Sequence, residues 1–293
     1  MKISLKFIIV LLFVSFRVNY AQFELLDVGA KPISLGGAFT SLANNSNAVY
    51  YNPAGISQIP FREVSVFYSP APFGLKELAN GSVNYVEPTK FGVFGLSAKT
   101  YGFELYKEIT VTATYSNNYK KKIFYGANIN YYNLKIQNYG SASTFGVDIG
   151  GLAYLTEFLR WGFAAFNLNR PKIGTQDDKL PQVYRTGISI QPRKELNFVL
   201  DVEKDTRYTA SVKAGIEYSL YDMIDLRAGI GTEPTKFSGG VGLYYSIFEI
   251  DYGFYNHQDL GLTHQGTITI NFGGAKNREI IKNSLKDAFK KGK

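Results

Sequence analysis

Between Arg62 and Gly273 about fourteen short segments alternate apolar and polar residues, and the connections joining them are alternately short and long. Residues 123–131 show the pattern: Ile123, Tyr125, Ala127, Ile129 and Tyr131 fall on one side, Gly126, Asn128 and Asn130 on the other. A period of two belongs to a strand with one apolar and one polar face. In a soluble sandwich the apolar faces meet in a core; in a membrane barrel they meet lipid, and the polar faces line the lumen. The connections choose between these. Short ones fall near 87–90, 117–121, 156–159, 191–194, 220–223 and 246–247, and between them lie mostly longer ones at 69–80, 100–106, 135–143, 169–181, 203–208, 232–235 and 255–263. Strict alternation suits an up-and-down barrel with tight turns on the periplasmic rim and longer loops outside, whereas a Greek key mixes the two lengths. The pattern predicts an all-β, transmembrane, antiparallel up-and-down β-barrel of about fourteen strands, with twelve or sixteen also compatible. An even count leaves both termini periplasmic.

The start of the chain supplies a route to the bacterial outer membrane. Lys2 and Lys6 precede an apolar run at 7–16, and Ala21-Gln22 is a plausible cleavage point, so residues 1–21 read as a signal peptide. The run is too short to span a membrane as a helix. The expected organisation is then a hatch or plug segment at 22–61, an outer-membrane barrel at 62–274 and a basic periplasmic tail at 275–293. Aromatic residues make up 15% of the chain, which suits girdles at the two lipid–water boundaries. With no cysteine, the chain can carry no disulfide, thiolate metal site or cysteine nucleophile.

The net charge of +8 resides at the ends: Lys2, Lys6 and Arg17 in the signal, and seven basic against two acidic residues in the tail, leaving the chain between them neutral. This argues against nucleic-acid binding, which needs a basic face on the folded domain. In the tail, Ile281, Leu285, Ala288 and Phe289 recur at helical spacing with Lys282, Lys286 and Lys290 off that stripe. Such a segment is either a solvated end or an amphipathic helix for an acidic partner or an anionic membrane surface.

Before the first strand, small residues fill 36–43, a pattern compatible with a closely packed helix, and Asn-rich 44–47 would end it. Asn52-Pro53-Ala54-Gly55 reads as a turn, because Pro fixes its φ and Gly admits positive values. A segment so small has little core of its own, and the barrel lumen is the place to bury it. The hatch motif comprises Gly36, Gly37, Asn52, Pro53, Ala54 and Gly55. Leu35-Gly36-Gly37-Ala38-Phe39, followed by Ala48-Val49-Tyr50-Tyr51-Asn52-Pro53-Ala54-Gly55, resembles the N-terminal hatch of the FadL-type outer-membrane superfamily, which includes the long-chain fatty acid transporters, and is closest to its PorV/PorQ-like branch. Gly215-Ile216-Glu217-Tyr218, Leu226-Arg227-Ala228-Gly229, Asp251-Tyr252 and Asp259-Leu260-Gly261 with His264 resemble the closing strands of that branch. The resemblance implies a fourteen-stranded barrel plugged by its N-terminal segment. FadL-type members pass hydrophobic compounds through a lateral opening, whereas PorV and PorQ relatives serve type IX secretion as shuttles or anchors.

Ionisable residues share the inward phase on several strands: Asp148, Arg185, Asp201, Lys213, Glu217, Arg227, Glu249 and Asp251. Mixed signs on neighbouring strands suit cross-strand pairing that ties wall to plug better than a selectivity ring or substrate path. His257, Asp259 and His264 match no metal-binding spacing, no Ser/His pair is singled out, and Gly36-Gly37 and Gly239-Gly240 lack the residues of a phosphate loop. The expectation is a non-enzymatic barrel without metal or cofactor. Its first reading is a PorV/PorQ-type protein associated with secretion-system or exported proteins, with its lumen filled. The alternative is a FadL-like passive transporter of small hydrophobic molecules.

Overall fold

The computed structural model describes residues 23–174, 178–221, 223–273 and 289. The signal segment at 1–21 and, apart from Phe289, the tail at 275–293 lie outside the described residues.

Fourteen strands form one closed antiparallel barrel. In chain order these are β1 (Glu63–Ser69), β2 (Asn80–Thr89), β3 (Gly92–Gly102), β4 (Tyr106–Tyr119), β5 (Ile123–Ile136), β6 (Gly140–Tyr154) and β7 (Leu159–Phe166). A small hairpin, β8 (Lys172–Ile173) with β9 (Asp178–Lys179), interrupts the wall sequence. The barrel continues with β10 (Val183–Arg193), β11 (Leu196–Asp205), β12 (Ser211–Leu220), β13 (Ile224–Thr232), β14 (Thr235–Tyr245), β15 (Phe248–His257) and β16 (Gly261–Asn271). The sheet closes where β1 pairs with β16.

The two-residue period places the side chains. On β4, Thr110, Thr112, Thr114 and Ser116 are buried, while Val111 and Tyr115 face outward. On β5, Asn128 and Asn130 are inside, and Ile129 is 60% exposed outside. Exposed Leu, Ile, Val, Phe and Tyr recur on every side of the barrel, far more apolar surface than a water-soluble protein presents. This is the surface of a membrane-spanning barrel.

The strands run further than the alternation suggests. β4 and β5 have 14 residues and β6 has 15. The connections expected at 100–106 and 135–143 contract to 103–105 and 137–139. Polar and small residues such as Ser141, Ala142 and Ser143 carry no apolar signal, but their backbones continue the ladder opposite Lys135, Leu134 and Asn133.

One part of the wall is not closed by strand pairing. β7 pairs with β6 only from Ile149 to Tyr154, so the half of β6 nearer the long connections has no barrel strand on that side. The chain after β7 covers it. Leu168 N–H donates to Val147 O at 2.9 Å. The Asn169 side chain accepts from Val147 N–H at 3.0 Å and donates to Phe145 O at 2.8 Å.

The N-terminal segment occupies the lumen. A short helix, Ala30–Ser34, precedes Gly36 and Gly37, whose φ values of 72° and 84° end it. The chain through 38–43 therefore runs as turns rather than the helix its small residues suggest. Two 3-10 helices follow, Ser46–Tyr50 and Pro53–Gln58. The Asn45 and Asn52 side chains cap them by accepting from Asn47 N–H and Ala54 N–H, each at 3.1 Å. Leu35, Phe39, Leu42, Val49, Tyr51 and Ile56 form a core with Val86, Phe124, Leu152 and Val199 of the wall, and Phe289 packs against it. Wall glycines admit the plug backbone: a Cβ on Gly126 would lie 2.6 Å from Pro53 O, and one on Gly215 2.7 Å from Leu35 O.

Candidate functional site

Most of the inward-phase charges named from the sequence sort into two clusters, and Asp148 and Asp201 stand apart from both. Nearer the short-turn end, Arg227 Nε donates to Glu217 at 2.8 Å, and its terminal nitrogens reach Asp251 at 2.5 Å and Asp225 at 3.0 Å. Lys31 of the plug helix lies 3.3 Å from the same Glu217 oxygen, and the Tyr244 hydroxyl donates to Asp225 at 2.8 Å. Nearer the long-connection end, Glu203 takes Arg185 at 2.5 Å and Lys213 at 2.9 Å. There the plug contributes Asp27, which accepts from Lys236 at 2.6 Å with Lys213 at 3.8 Å. Burial alone would raise the Asp27 carboxyl, but the Lys213, Lys236 and Arg185 charges hold it well below the usual carboxylate range. The Tyr51 hydroxyl, buried beside Asp27, is pushed well above its ordinary value.

Among the described residues, Asp201 and Asp148 form no ion pair. Asp201 accepts Phe39 N–H and Thr40 N–H of the plug, both at 2.8 Å. Asp148 accepts the Asn130 and Asn128 amides at 2.7 and 3.0 Å and Asn167 N–H at 2.9 Å. Glu249 is half-buried, two residues before Asp251 on β15. Sequence reasoning missed Asp27, Lys31, Glu203, Asp225 and Lys236. Asp225 and Glu203 had a signal, since each shares the phase of a named charge two residues away, Arg227 and Asp201. Asp27 and Lys31 lie where no period exists to orient them.

The hatch residues Gly36, Gly37, Asn52, Pro53, Ala54 and Gly55 are all buried in the lumen. Besides capping Ala54, Asn52 donates to Thr40 O at 2.8 Å and to Gly151 O of the wall at 3.0 Å. The two histidines are not brought together. His257 faces inward and its Nδ1 accepts from the Asp259 and Leu260 N–H groups. His264 faces outward and its Nδ1 shares a hydrogen bond with the Tyr252 hydroxyl at 2.6 Å.

The lumen is not filled to its long-connection end. A cavity of about 530 Å³ lies among the long connections, within the usual size of small-molecule pockets. Leu25, Leu26, Ile33, Phe67, Phe73, Leu78, Tyr101, Tyr255 and Leu260 give it apolar and aromatic walls; Asp27, Glu203, Lys213 and Lys236 lie at its charged base, and Glu24, Asp205, Arg207 and Glu233 also line it. The four at the base are already paired with one another, so they do not confront a guest as isolated charges. Leu25 and Leu26 also line a second cavity of about 30 Å³ beside Tyr50, Lys99 and Tyr132. Leu25 and Leu26 are thus the partition between the two spaces. Just before them, Phe23 packs with Tyr132, Leu134, Ile173 and Leu180, its ring centroid 5.1 Å from that of Tyr132. Its N–H donates to Glu108 at 2.9 Å. This apolar cluster includes Ile173 of β8, part of the chain that follows the incompletely paired stretch of β6.

No protein-family model matches the chain, and no curated protein matches it in sequence. Its fold is similar to that of a Pseudomonas aeruginosa FadL homologue, with a TM-score of 0.61 at 13% identity over 84% of this chain and 99% of that one. The P. putida toluene transporter TodX gives 0.62 at 13% identity, covering 85% and 97%. The Ralstonia pickettii toluene transporter TbuX gives 0.59 at 13% identity, covering 85% and 98%. The architecture is that of the FadL-type barrels.

Proposed function

We propose that this protein is an outer-membrane barrel that binds a small hydrophobic molecule at its long-connection end and passes it inward without chemical change. The observation that carries this reading is the apolar cavity above an internally paired charged base. The sequence favoured a lumen left with little room, and on that ground a secretion role came first. The cavity reverses the order, because the charges at its base spend themselves on one another and on the plug while Leu25, Leu26 and the long connections contribute apolar side chains. The neighbours named as toluene transporters support the same substrate class. The route onward runs past Leu25 and Leu26 to the Phe23 cluster, and the short pairing of β6 with β7 supports an exit through the wall there. In this reading the long connections face outward and the short turns face the periplasm.

The test uses the absence of native cysteine. A disulfide joining Phe145→Cys to Asn169→Cys should pin the chain after β7 against β6. Uptake of labelled toluene by cells carrying the oxidised variant should fall to that of a deletion strain and return on reduction. Uptake indifferent to both the crosslink and the deletion would sink the proposal. A secretion-associated role is the second reading, supported by the hatch-motif resemblance and by the ionic fastening of the plug. It gains if deletion lowers surface retention of exported proteins while toluene uptake is unchanged.

A further inference from the structure

The short-turn rim carries a feature that substrate passage does not use. The turn between β4 and β5 is closed by Lys122 N–H donating to Tyr119 O at 3.1 Å. Its two central residues, Lys120 and Lys121, have φ values of 52° and 54°. Positive φ at both centres marks a type I′ turn, which Asn-Gly adopts without strain and lysine does not. Two adjacent lysines hold that position against their backbone preference, so local turn stability does not account for them.

Their surroundings point to a ligand class. The adjacent turn, between β2 and β3, presents Lys90 and Phe91. It is fastened to β4 by the Tyr115 hydroxyl and the Asn117 amide, which donate to Phe91 O at 2.8 and 3.1 Å. The Lys90 ammonium lies 5.0 Å from the Phe91 ring centroid and that of Lys120 5.2 Å from Tyr119. Phe91, Phe94, Tyr115 and Tyr119 are all exposed on the outer surface, forming an aromatic band of the kind that sits at the lipid–water boundary. Among the described residues no carboxylate pairs with Lys90, Lys120 or Lys121. The Glu87 carboxylate on β2 is taken by Arg62 at 2.8 Å and by the Tyr85 hydroxyl. Lys122 is engaged elsewhere, 4.4 Å from the Phe289 ring.

We propose that Lys90, Lys120 and Lys121 form a binding site for the phosphate of an anionic phospholipid, with the exposed rings packing against its glycerol and upper acyl chains. Three lysines on two adjacent turns, beside exposed rings that face lipid, match the two halves of such a molecule together. An acidic protein would use the charges but leave the rings without a role. The proposal rests on the membrane-spanning reading, and its failure is distinguishable from failure of that reading.

The test compares the full-length protein with Lys120→Asn/Lys121→Gly, which installs the preferred turn residues, and with Lys107→Gln/Lys135→Gln, which removes the same charge at the opposite rim. Each is inserted into phosphatidylethanolamine vesicles with and without phosphatidylglycerol, and co-purifying lipid is identified by native mass spectrometry. The turn variant should insert normally, unfold at the same or a higher temperature, and lose about thirtyfold in phosphatidylglycerol preference, the effect of two lysines at a membrane surface. The opposite-rim variant should keep its preference. An inserted turn variant with unchanged preference, or an equal loss in the opposite-rim variant, would overturn the site. Failure of every form to insert would overturn the membrane reading instead.

Discussion

The Lys236 ammonium donates to the Asp27 carboxylate at 2.6 Å, joining wall to lumen across 209 residues of sequence. Asp27 directly follows the partition formed by Leu25 and Leu26, so this bond sets how freely those two residues can leave the base of the cavity. Replacing Asp27 with Asn would leave Lys213 and Lys236 short of a buried anion, a change that costs about 3–5 kcal/mol when one partner of a buried pair is removed. The expected result is a lower unfolding temperature in detergent, together with greater mobility of a spin label on Glu24→Cys. An immobile label in Asp27→Asn would show that the ion pair does not hold the segment.

Acid should release the same contact only at low pH. The folded-state value of Asp27 is depressed, so its stabilisation is complete above the ordinary carboxylate value of about 3.9 and fades as pH falls through the folded value. The Glu24→Cys spin label should stay immobile from neutral pH to about 4 and loosen below it. Release near pH 6 would assign control to a different group.

Gly36 is expected to tolerate no side chain. A Cβ there would lie 2.5 Å from Ile230 O, and the backbone φ is 72°. Gly36→Val should destabilise the folded barrel by about 1–3 kcal/mol through overpacking, with added cost from the left-handed backbone. Thermal unfolding in detergent, set beside Gly140→Val, where φ is 95° but space is open, separates crowding from backbone strain. Equal losses in both would remove the crowding argument.

Arg227 holds Glu217, Asp225 and Asp251 together, with its side chain fully buried. Arg227→Met should destabilise by about 3–5 kcal/mol, because three buried carboxylates lose the guanidinium they share. Adding Asp225→Asn and Asp251→Asn should recover part of that loss. Arg227→Lys should recover less, since one ammonium cannot reproduce the planar fork. Chemical denaturation of the three variants reads the order directly, and a destabilised triple variant no better than Arg227→Met would refute repulsion as the cause.

The barrel was legible because lipid enforces a period of two on every wall strand, and residues such as Ile129 and Asn128 declare their faces. Strand ends were less legible: Ser141 and Ser143 remain in the ladder beyond the apolar belt, where alternation stops being required. The inward charges could be named from phase, but not their partners. Arg227 meets Glu217 across adjacent strands and Asp225 on its own, whereas Asp201 meets the plug backbone, whose position no strand pattern encodes. The cavity was illegible for a related reason. It depends on where Leu25, Leu26 and Phe73 come to rest, and these lie in segments with no repeating geometry.

The fit of Gly126 to Pro53 and of Gly215 to Leu35 bears on the order in which this protein is made. The inner wall is moulded to another stretch of its own backbone, so a tube sealed before that stretch arrived would contain a void in the shape of a peptide. The stretch lies just upstream of β1, and β1 is one side of the seam with β16. Assembly that gathers the first residues before joining the first strand to the last avoids that void. The seam is then the final stitch, drawn around contents already in place.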